Sequence, residues 1–475
     1  MRALMTLLTD EEILRIHEST LQVLERTGVK IGSDKVCNLL VRHGAKAEGN
    51  IVKLPRPMVE EAVGEVQKDV LLAARDSGCD LLLPSRNLPF NTTSGYSPFV
   101  MDMETDEKRN STGSDLKEFA RLCDYLDTVA FFWPIVMPTE EETSELEELC
   151  SLDISLRNIR KHIQCSCSSE KAARWQIRLA SVVAGGEENL KKRPIFSCVA
   201  SPATPLTFEG HVAEAIVILA ETGVPLAPMN VPLMGTTAPV TLAGTSLMAN
   251  AEQLATLVIL KTANPGAPMV YSTDAAPSDL KTGMVNYEGP EYPLFGAALG
   301  QMARYYGMPS LVAHGSSEER PFDRPSGFER NVLKVVMSLM TRTDLSAWIG
   351  SLDNSINASL VDVLVDTEAC ERAFAYLRRF EVNKETLALD AIAEAGPAGH
   401  FLAHKHTIKH FRKELWTKKL KDSFIFDTTD GESFRDQAKQ KVKDILATHI
   451  PPAIDEDMLK EMDKVMQEAR RDIIG

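Results

Sequence analysis

Two thiols and two histidine pairs are the spacings in this chain best suited to chemistry. Cys165 and Cys167 stand two apart, which in a strand turns both thiols to one face, where they could be zinc thiolates. A second thiolate or histidine pair at ligand spacing is missing nearby, and free cysteine packs readily as a small hydrophobe, so core packing is the preferred reading. His400 and His404 are four apart, as are His406 and His410, within GPAGHFLAHKHTIKHFRKELW (396–416). On a helix that interval shares a face and suits two metal ligands, yet the glutamate of H-E-x-x-H is missing. Contact with an anion or a partner fits this His/Lys/Arg-rich segment better, and a solvated cationic face is the plain alternative. No resident metal is expected.

The elements that must position any site follow from hydrophobic period. Strand-like apolar segments recur eight times, at about 88–93, 129–136, 161–167, 194–200, 224–230, 267–273, 309–314 and 345–350. Each precedes a helix-period segment, at about 114–126, 141–158, 170–184, 208–222, 241–263, 291–306, 326–342 and 358–380. Runs such as 128–133 and 268–272 are almost wholly apolar, as expected when protein covers both faces of a strand. The alternation predicts an α/β fold, a (β/α)8 barrel of the TIM type over 88–381. A lead-in of helices and a few strands (1–87) precedes it, opening on the capping box Thr9 to Glu12. A helical extension (382–475) follows. A doubly wound open sheet is the alternative, but no Gly-rich dinucleotide fingerprint follows any strand.

In a parallel barrel the carboxyl ends of the strands form the functional face. That rule selects Asn91 to Thr93 with Tyr96, then Phe132 and Trp133, Cys165 and Cys167, and Cys198 with Ser201. Next come Met229 and Asn230, Thr273 and Asp274, His314, and finally Trp348 with Gly350. Asp274 and His314 are nearly the only titrating groups among them. A Schiff-base lysine is absent from these ends, and so is the histidine pair of a hydrolytic metallobarrel. The chemistry is therefore expected from a bound group that the protein orients. Long loops at 275–289 and 316–325 would border the same face.

A formal charge of -15, from 67 acidic and 52 basic residues, argues against nucleic acid and is compatible with a cationic substrate. Eight scattered cysteines make no disulfide framework. No apolar run is long enough to span a bilayer, and MRALMTLLTDEE turns acidic too soon for a signal peptide, so a cytoplasmic protein is expected.

GTTAPVTLAGT (235–245) with Asn250-Ala251-Glu252, NPGAPMVY (264–271), Tyr287 to Glu291 and the 396–416 segment together resemble the trimethylamine methyltransferase family, over nearly the whole chain. The resemblance implies a (β/α)8 barrel that moves a methyl group from a methylated amine to a corrinoid protein. Founding members carry pyrrolysine in the loop after strand seven. Here His314 to Glu329 holds only standard residues, so the chain resembles the non-pyrrolysine branch, which demethylates quaternary amines such as glycine betaine. Ser317-Glu318-Glu319-Arg320 departs from that branch's usual wording and leaves the amine open among betaines, carnitine, butyrobetaine and choline.

On this resemblance the partners are a small quaternary amine and a separate corrinoid protein, whose cobalamin is the only cofactor; the D-x-H-x-x-G wording of a cobalt-ligating module is absent. Tyr96, Phe132, Trp133 and Trp348 would hold the onium through ring faces, with Ser201 and Thr273 beside it. Asn230 and Asp274 would orient it. His314, or Gly399, His400 and His404, would meet the corrinoid or its carrier. The alternatives are a non-catalytic betaine-binding or scaffold barrel and a zinc-dependent methyl transfer. A homo-oligomer is compatible with either.

Overall fold

The computed structural model describes residues 5–86, 88–287, 289–312, 325–415 and 434–475. The lead-in starts where its residues dictate: Thr9 Oγ1 accepts from Glu12 N and the Glu12 carboxylate accepts from Thr9 N, closing the capping box on helix Asp10–Gln22. Gly28 turns the chain out of the helical run at φ 74, where a Cβ would sit 2.5 Å from Val52 O. Glycine is the residue that fits there. Strand Val29–Ile31 then pairs antiparallel with Ile51–Lys53 and parallel with Thr207–Phe208, tying the lead-in to the later chain.

The main body is α/β. Phe90–Thr93 pairs parallel with Leu345–Ile349, and on its other side Asn91 bridges Val129. Phe132 bridges Ile163, and Ile163–Ser166 pairs in register with Phe196–Val199. Cys198 bridges Leu226, Leu226 bridges Met269, and Tyr271–Ser272 pairs with Ser310–Leu311, which meets Leu345. Followed in order, these parallel pairings return to the strand they began from. The segments near 129–136 and 224–230 contribute single bridges rather than ladders. Pro134, Pro225 and Pro228 remove the donors a ladder would need.

A helix follows each segment, the first three being Gly113–Tyr125, Ser144–Asn158 and Glu170–Ala184. Their caps are Thr112, Thr143 and Ser169, each accepting a backbone N–H of the first turn. Alternation along the strands divides the core in two. Phe131 and Trp133 join Val199, Met229, Val270, Leu311, Leu345 and Ala347 in one apolar cluster, while Phe132 between them packs among the residues of the helix layer.

The first cluster also takes in Val70, Leu72, Leu81 and Leu83 of the hairpin Val70–Leu72/Leu81–Leu83. That hairpin is fastened at the amino ends of the parallel strands. Ala73 N donates to Pro194 O, Asp76 N to Arg160 O, and Ser85 N to the Asp344 carboxylate. Buried His162 completes the seam between Ala73 O (2.6 Å) and Ser197 Oγ (2.9 Å). Burial pulls its pKa down to about 4, so the ring is neutral, Nδ1 donates to the carbonyl and Nε2 accepts from the serine.

After residue 381 the described chain is helical. Phe434–Thr448 and Glu456–Ile474 bury Val442, Met462 and Val465 in the main core, and Arg470 grips Glu141 through two nitrogens at 2.7 and 2.6 Å. His400 and His404 do not share a helix face, correcting the expectation. Helix Lys405–Glu414 begins only after His404, whose side chain caps it by accepting from His406 N, and Gly396, Pro397 and Gly399 break the chain before it. His406 and His410 do stack, with centroids 4.3 Å apart. Among the described residues no helix is long and apolar enough to cross a membrane.

Candidate functional site

A cavity of about 130 Å³ opens at the carboxyl ends of the parallel strands. One wall is Trp133. Its backbone N–H lies 3.0 Å from Thr92 Oγ1 and 3.2 Å from Thr93 Oγ1, and the same hydroxyls donate to Phe131 O and Trp133 O. The indole packs closely against Gly95: a Cβ there would come within 2.4–2.8 Å of Cε2, Nε1 and Cζ2. The absence of a side chain at 95 is what lets the ring occupy this wall.

Ala347 and Trp348 both line the cavity although they are adjacent, which strict strand alternation forbids. The register supplies the reason. Ala347 pairs with Thr92 and Ile349 with Thr93, leaving Trp348 as the extra residue of a bulge, and a bulge re-aims its side chain.

Asp274 forms the charged wall. Tyr287 Oη donates to one carboxylate oxygen (2.5 Å) and Tyr292 Oη to the other (2.6 Å). The two phenol rings meet edge to face, centroids 5.0 Å apart. Burial, then the Asp274 charge, pushes the Tyr287 hydroxyl well above its ordinary value, so it stays a donor. The fourth wall is hydroxylic. The chain turns back after strand Leu345–Ile349 through Asp353, Asn354 and Ser355, all at positive φ (50, 55 and 67). Ser355 Oγ accepts from Ser94 (3.1 Å) and Ser351 (3.0 Å).

Beneath the cavity, helix Leu242–Ala263 supplies a polar clamp. Gln253 Nε2 donates to Asn230 Oδ1 (3.1 Å), Pro228 O and Ser272 O, while Asn230 Nδ2 donates to Glu252 (2.7 Å) and Ala249 O. Glu252 also accepts from Thr204 Oγ1 and Leu206 N, and burial raises its pKa to about 7 despite those donors. Asn250 joins Tyr271, Tyr306 and Thr20 in the same way. Three side chains of one helix thus hold strand ends and loops, which is what the Asn250-Ala251-Glu252 wording encodes.

Of the residues expected from the sequence, Trp133, Asp274 and Trp348 stand on one cavity wall or another. Tyr96 packs against the inner cluster and its hydroxyl accepts from Ser166 N at 2.9 Å. Asn230 and Thr273 are fully buried just below. The Asn230 amide is spent on the clamp and Thr273 Oγ1 donates to Asn230 O, so neither faces the cavity. Phe132 points outward into the helix layer, and Ser201 is exposed away from the wall. Gly399, His400 and His404 lie in the C-terminal segment and line no part of it. His314 and most of the 316–325 loop lie outside the described residues.

Strand-end reasoning missed Ser94, Gly95, Tyr292 and Ser355. Gly95 and Tyr292 carry a signal, a glycine beside a strand-end tryptophan and a second tyrosine five residues after Tyr287. Among the described residues no three His, Cys, Asp or Glu side chains form a metal-ligand group. Cys165 and Cys167 are buried in the main core.

The family described as trimethylamine methyltransferase (MTTB) matches residues 2–473. A glycine betaine methyltransferase of Desulfitobacterium hafniense (strain Y51) is 27% identical over 454 residues, 95% of this chain and 94% of its own length. A trimethylamine methyltransferase (MttB) of Desulfitobacterium hafniense (strain DSM 10664 / DCB-2) is 28% identical over 467 residues, 97% and 93% of the two chains. The crystal structure of the Methanosarcina barkeri monomethylamine methyltransferase (MtmB) superposes with a TM-score of 0.51 at 10% identity, over 94% of this chain and 89% of that one. At that identity the likeness speaks for the fold.

Proposed function

The chain belongs to the trimethylamine methyltransferase family, and from that premise we propose that it moves a methyl group from a quaternary amine to the Co(I) of a corrinoid carried by a separate protein. The observation that carries this reading is a small cavity walled by two tryptophans and two tyrosines around one carboxylate. Aromatic faces attract an onium by about 0.5–2 kcal/mol each, and Asp274 adds an opposite charge. Substrate-binding roles fall to Trp133, Trp348, Asp274, Tyr287 and Tyr292. The circuit of parallel pairings supports a (β/α)8 barrel over 88–381, with the lead-in 1–87 and the extension 382–475 packed around it.

A quaternary nitrogen has no lone pair and needs no proton to become a leaving group. The Co(I) of the partner supplies the nucleophile. One C–N bond breaks, its electron pair stays on nitrogen, and a neutral tertiary amine departs. The cavity binds the cation, turns one methyl toward the mouth and excludes water. Opposite charges diminish along this path, which a dry site favours over solvated reactants.

Asp274 acts on the bound cation more than on the reaction, because positive charge leaves nitrogen as the bond breaks. A carboxylate beside it stabilises the bound cation more than the transition state, so its contribution lies in binding. Two phenol donors spread that carboxylate's charge and limit the drag on the chemical step. The test is to mix the protein with a Co(I)-corrinoid protein and candidate amines, following loss of Co(I) absorbance and release of demethylated amine. Tight onium binding with no methyl transfer to any corrinoid protein would leave only a binding protein.

A further inference from the structure

We propose that the loops after segments 224–230 and 267–273 form an apolar ridge on which the corrinoid protein seats, with Val240, Leu280 and Met284 as its contacts. The proposal rests on the reading of the chain as a methyltransferase with a separate corrinoid acceptor, and says where that acceptor lands.

The two loops are built as one unit. Asn230 bridges Thr273 at the strand ends, and beyond that bridge Leu233–Met234 pairs parallel with Ala276–Pro277. Met234 O accepts from Ser278 N (3.3 Å), and the hydroxyls of Thr236 and Ser278 meet at 3.0 Å. Residues 278–285 then fold back as a short hairpin. Ser278 bridges Val285 antiparallel, Asp279 N donates to Met284 O (2.8 Å), and Gly283 N donates to Asp279 O (2.7 Å). Gly283 at φ 73 makes that tight return possible. The first half of GTTAPVTLAGT therefore builds a rim loop, a task the onium site itself does not give it.

Apolar side chains crown this unit. A Cβ on Gly235 would stand 2.9 Å from Leu280 Cδ2 and 3.5 Å from Val240 Cγ2, so the glycine gathers one side chain from each loop. Val240 is nonetheless 61% exposed, Leu280 65% and Met284 47%. Apolar side chains grouped in this way at a surface mark a site of interaction.

The place of the ridge names its occupant. Its hairpin lies in the chain between Asp274 and Tyr287, which both wall the cavity, so the ridge stands on the rim of the mouth. Cobalt must come within bonding distance of the methyl group. In every productive encounter the acceptor's surface therefore lies against that rim, and a second copy of this chain seated on the ridge would bar it. An acceptor that lands and leaves at each turnover suits an interface at the small end of the known range. Three half-exposed apolar side chains supply contact of that size. The matching face of the corrinoid protein is apolar and surrounds the corrin.

Methyl transfer from glycine betaine, carnitine or choline, whichever the parent demethylates, is followed with two acceptors: a Co(I)-corrinoid protein and free cob(I)alamin. Leu280→Ser and Val240→Ser should each raise KM for the corrinoid protein roughly fivefold to thirtyfold, as expected for one partly exposed aliphatic side chain covered on docking. The kcat at saturating acceptor, transfer to free cob(I)alamin and calorimetric affinity for tetramethylammonium should all hold. Leu402→Ser, on the exposed C-terminal segment, should leave that KM where it was. If Leu280→Ser does not fold by circular dichroism, Val240→Ser carries the same readout from the other loop. The docking site is overturned by an unmoved KM in the ridge variants, by a rise with Leu402→Ser instead, or by a rise matched by equal loss of tetramethylammonium affinity. An unmoved KM with a shift from dimer to monomer in sedimentation overturns it too, in favour of a second copy. In each of these cases transfer by the parent keeps the proposed function. A parent that methylates neither acceptor overturns both.

Discussion

Asp274 is the residue on which the onium reading turns most sharply. Asp274→Asn removes the charge while leaving a carbonyl oxygen to accept from one tyrosine. Affinity for tetramethylammonium should fall about tenfold to a hundredfold, the range for charge-assisted contacts. In turnover the loss should appear in KM, with kcat held or slightly raised, because the cation it stabilises is the reactant. A fall confined to kcat would make Asp274 part of the chemical step. Asp274 and Trp133 were legible in the sequence, since both end strand-like runs. Asn230 ends a run equally well, yet its side chain is bonded to Glu252 and Gln253 on the following helix, and no local pattern in the sequence announces that they engage its amide. Ser355 was illegible for another reason: its turn is built from Asp353, Asn354 and Ser355 without the glycine that usually marks positive φ.

At the scale of elements, the close approach of Gly95 to Trp133 is a load on one loop. Gly95→Ala puts a methyl against the indole, so the ring must move. Onium affinity should fall roughly tenfold, about one cation–π contact, with the far-ultraviolet spectrum unchanged. Unaltered binding would separate Trp133 from the site. Helix Ser144–Asn158 carries a second test. Its Glu148 is buried, accepts from Ser168 N and Oγ, and burial raises its pKa to about 7 from an ordinary 4.5. The folded protein thus keeps a proton that the unfolded chain has lost, so this stabilisation is complete below pH 4.5 and fades as pH climbs through 7. Glu148→Gln keeps an acceptor for Ser168 without the charge. Denaturant melts at pH 5 and pH 8 should show the variant losing less stability than the parent, by an amount on the order of 3 kcal/mol at most. Equal losses would mean Glu148 is ionised throughout. The eight strand-like runs and the helices after them were readable because apolar period survives in each. That two runs make bridges instead of ladders came from prolines whose effect on pairing depends on which neighbour they face.

At the scale of the molecule, the C-terminal chain divides in a way its charge pattern concealed. Residues 434–475 bury Val442, Met462 and Val465 in the main core, while Phe380, Leu402 and Ile408 of the preceding stretch stay exposed at 79%, 87% and 63%. The zinc alternative is also a whole-molecule matter: chelation should leave methyl transfer unchanged, and activity lost to chelator and restored by zinc would reinstate it. The hairpin wedged into the amino ends of the strands has a kinetic meaning. A well stoppered at its base exchanges only through its rim, and the acceptor protein has to sit on that rim. Entry must then be compulsory, amine first and acceptor second, with the acceptor leaving before the spent amine. Initial rates should pass through a maximum as acceptor concentration rises, because acceptor seated on an empty well bars the amine. Rates that merely saturate would point to a side door past Val70–Leu72/Leu81–Leu83.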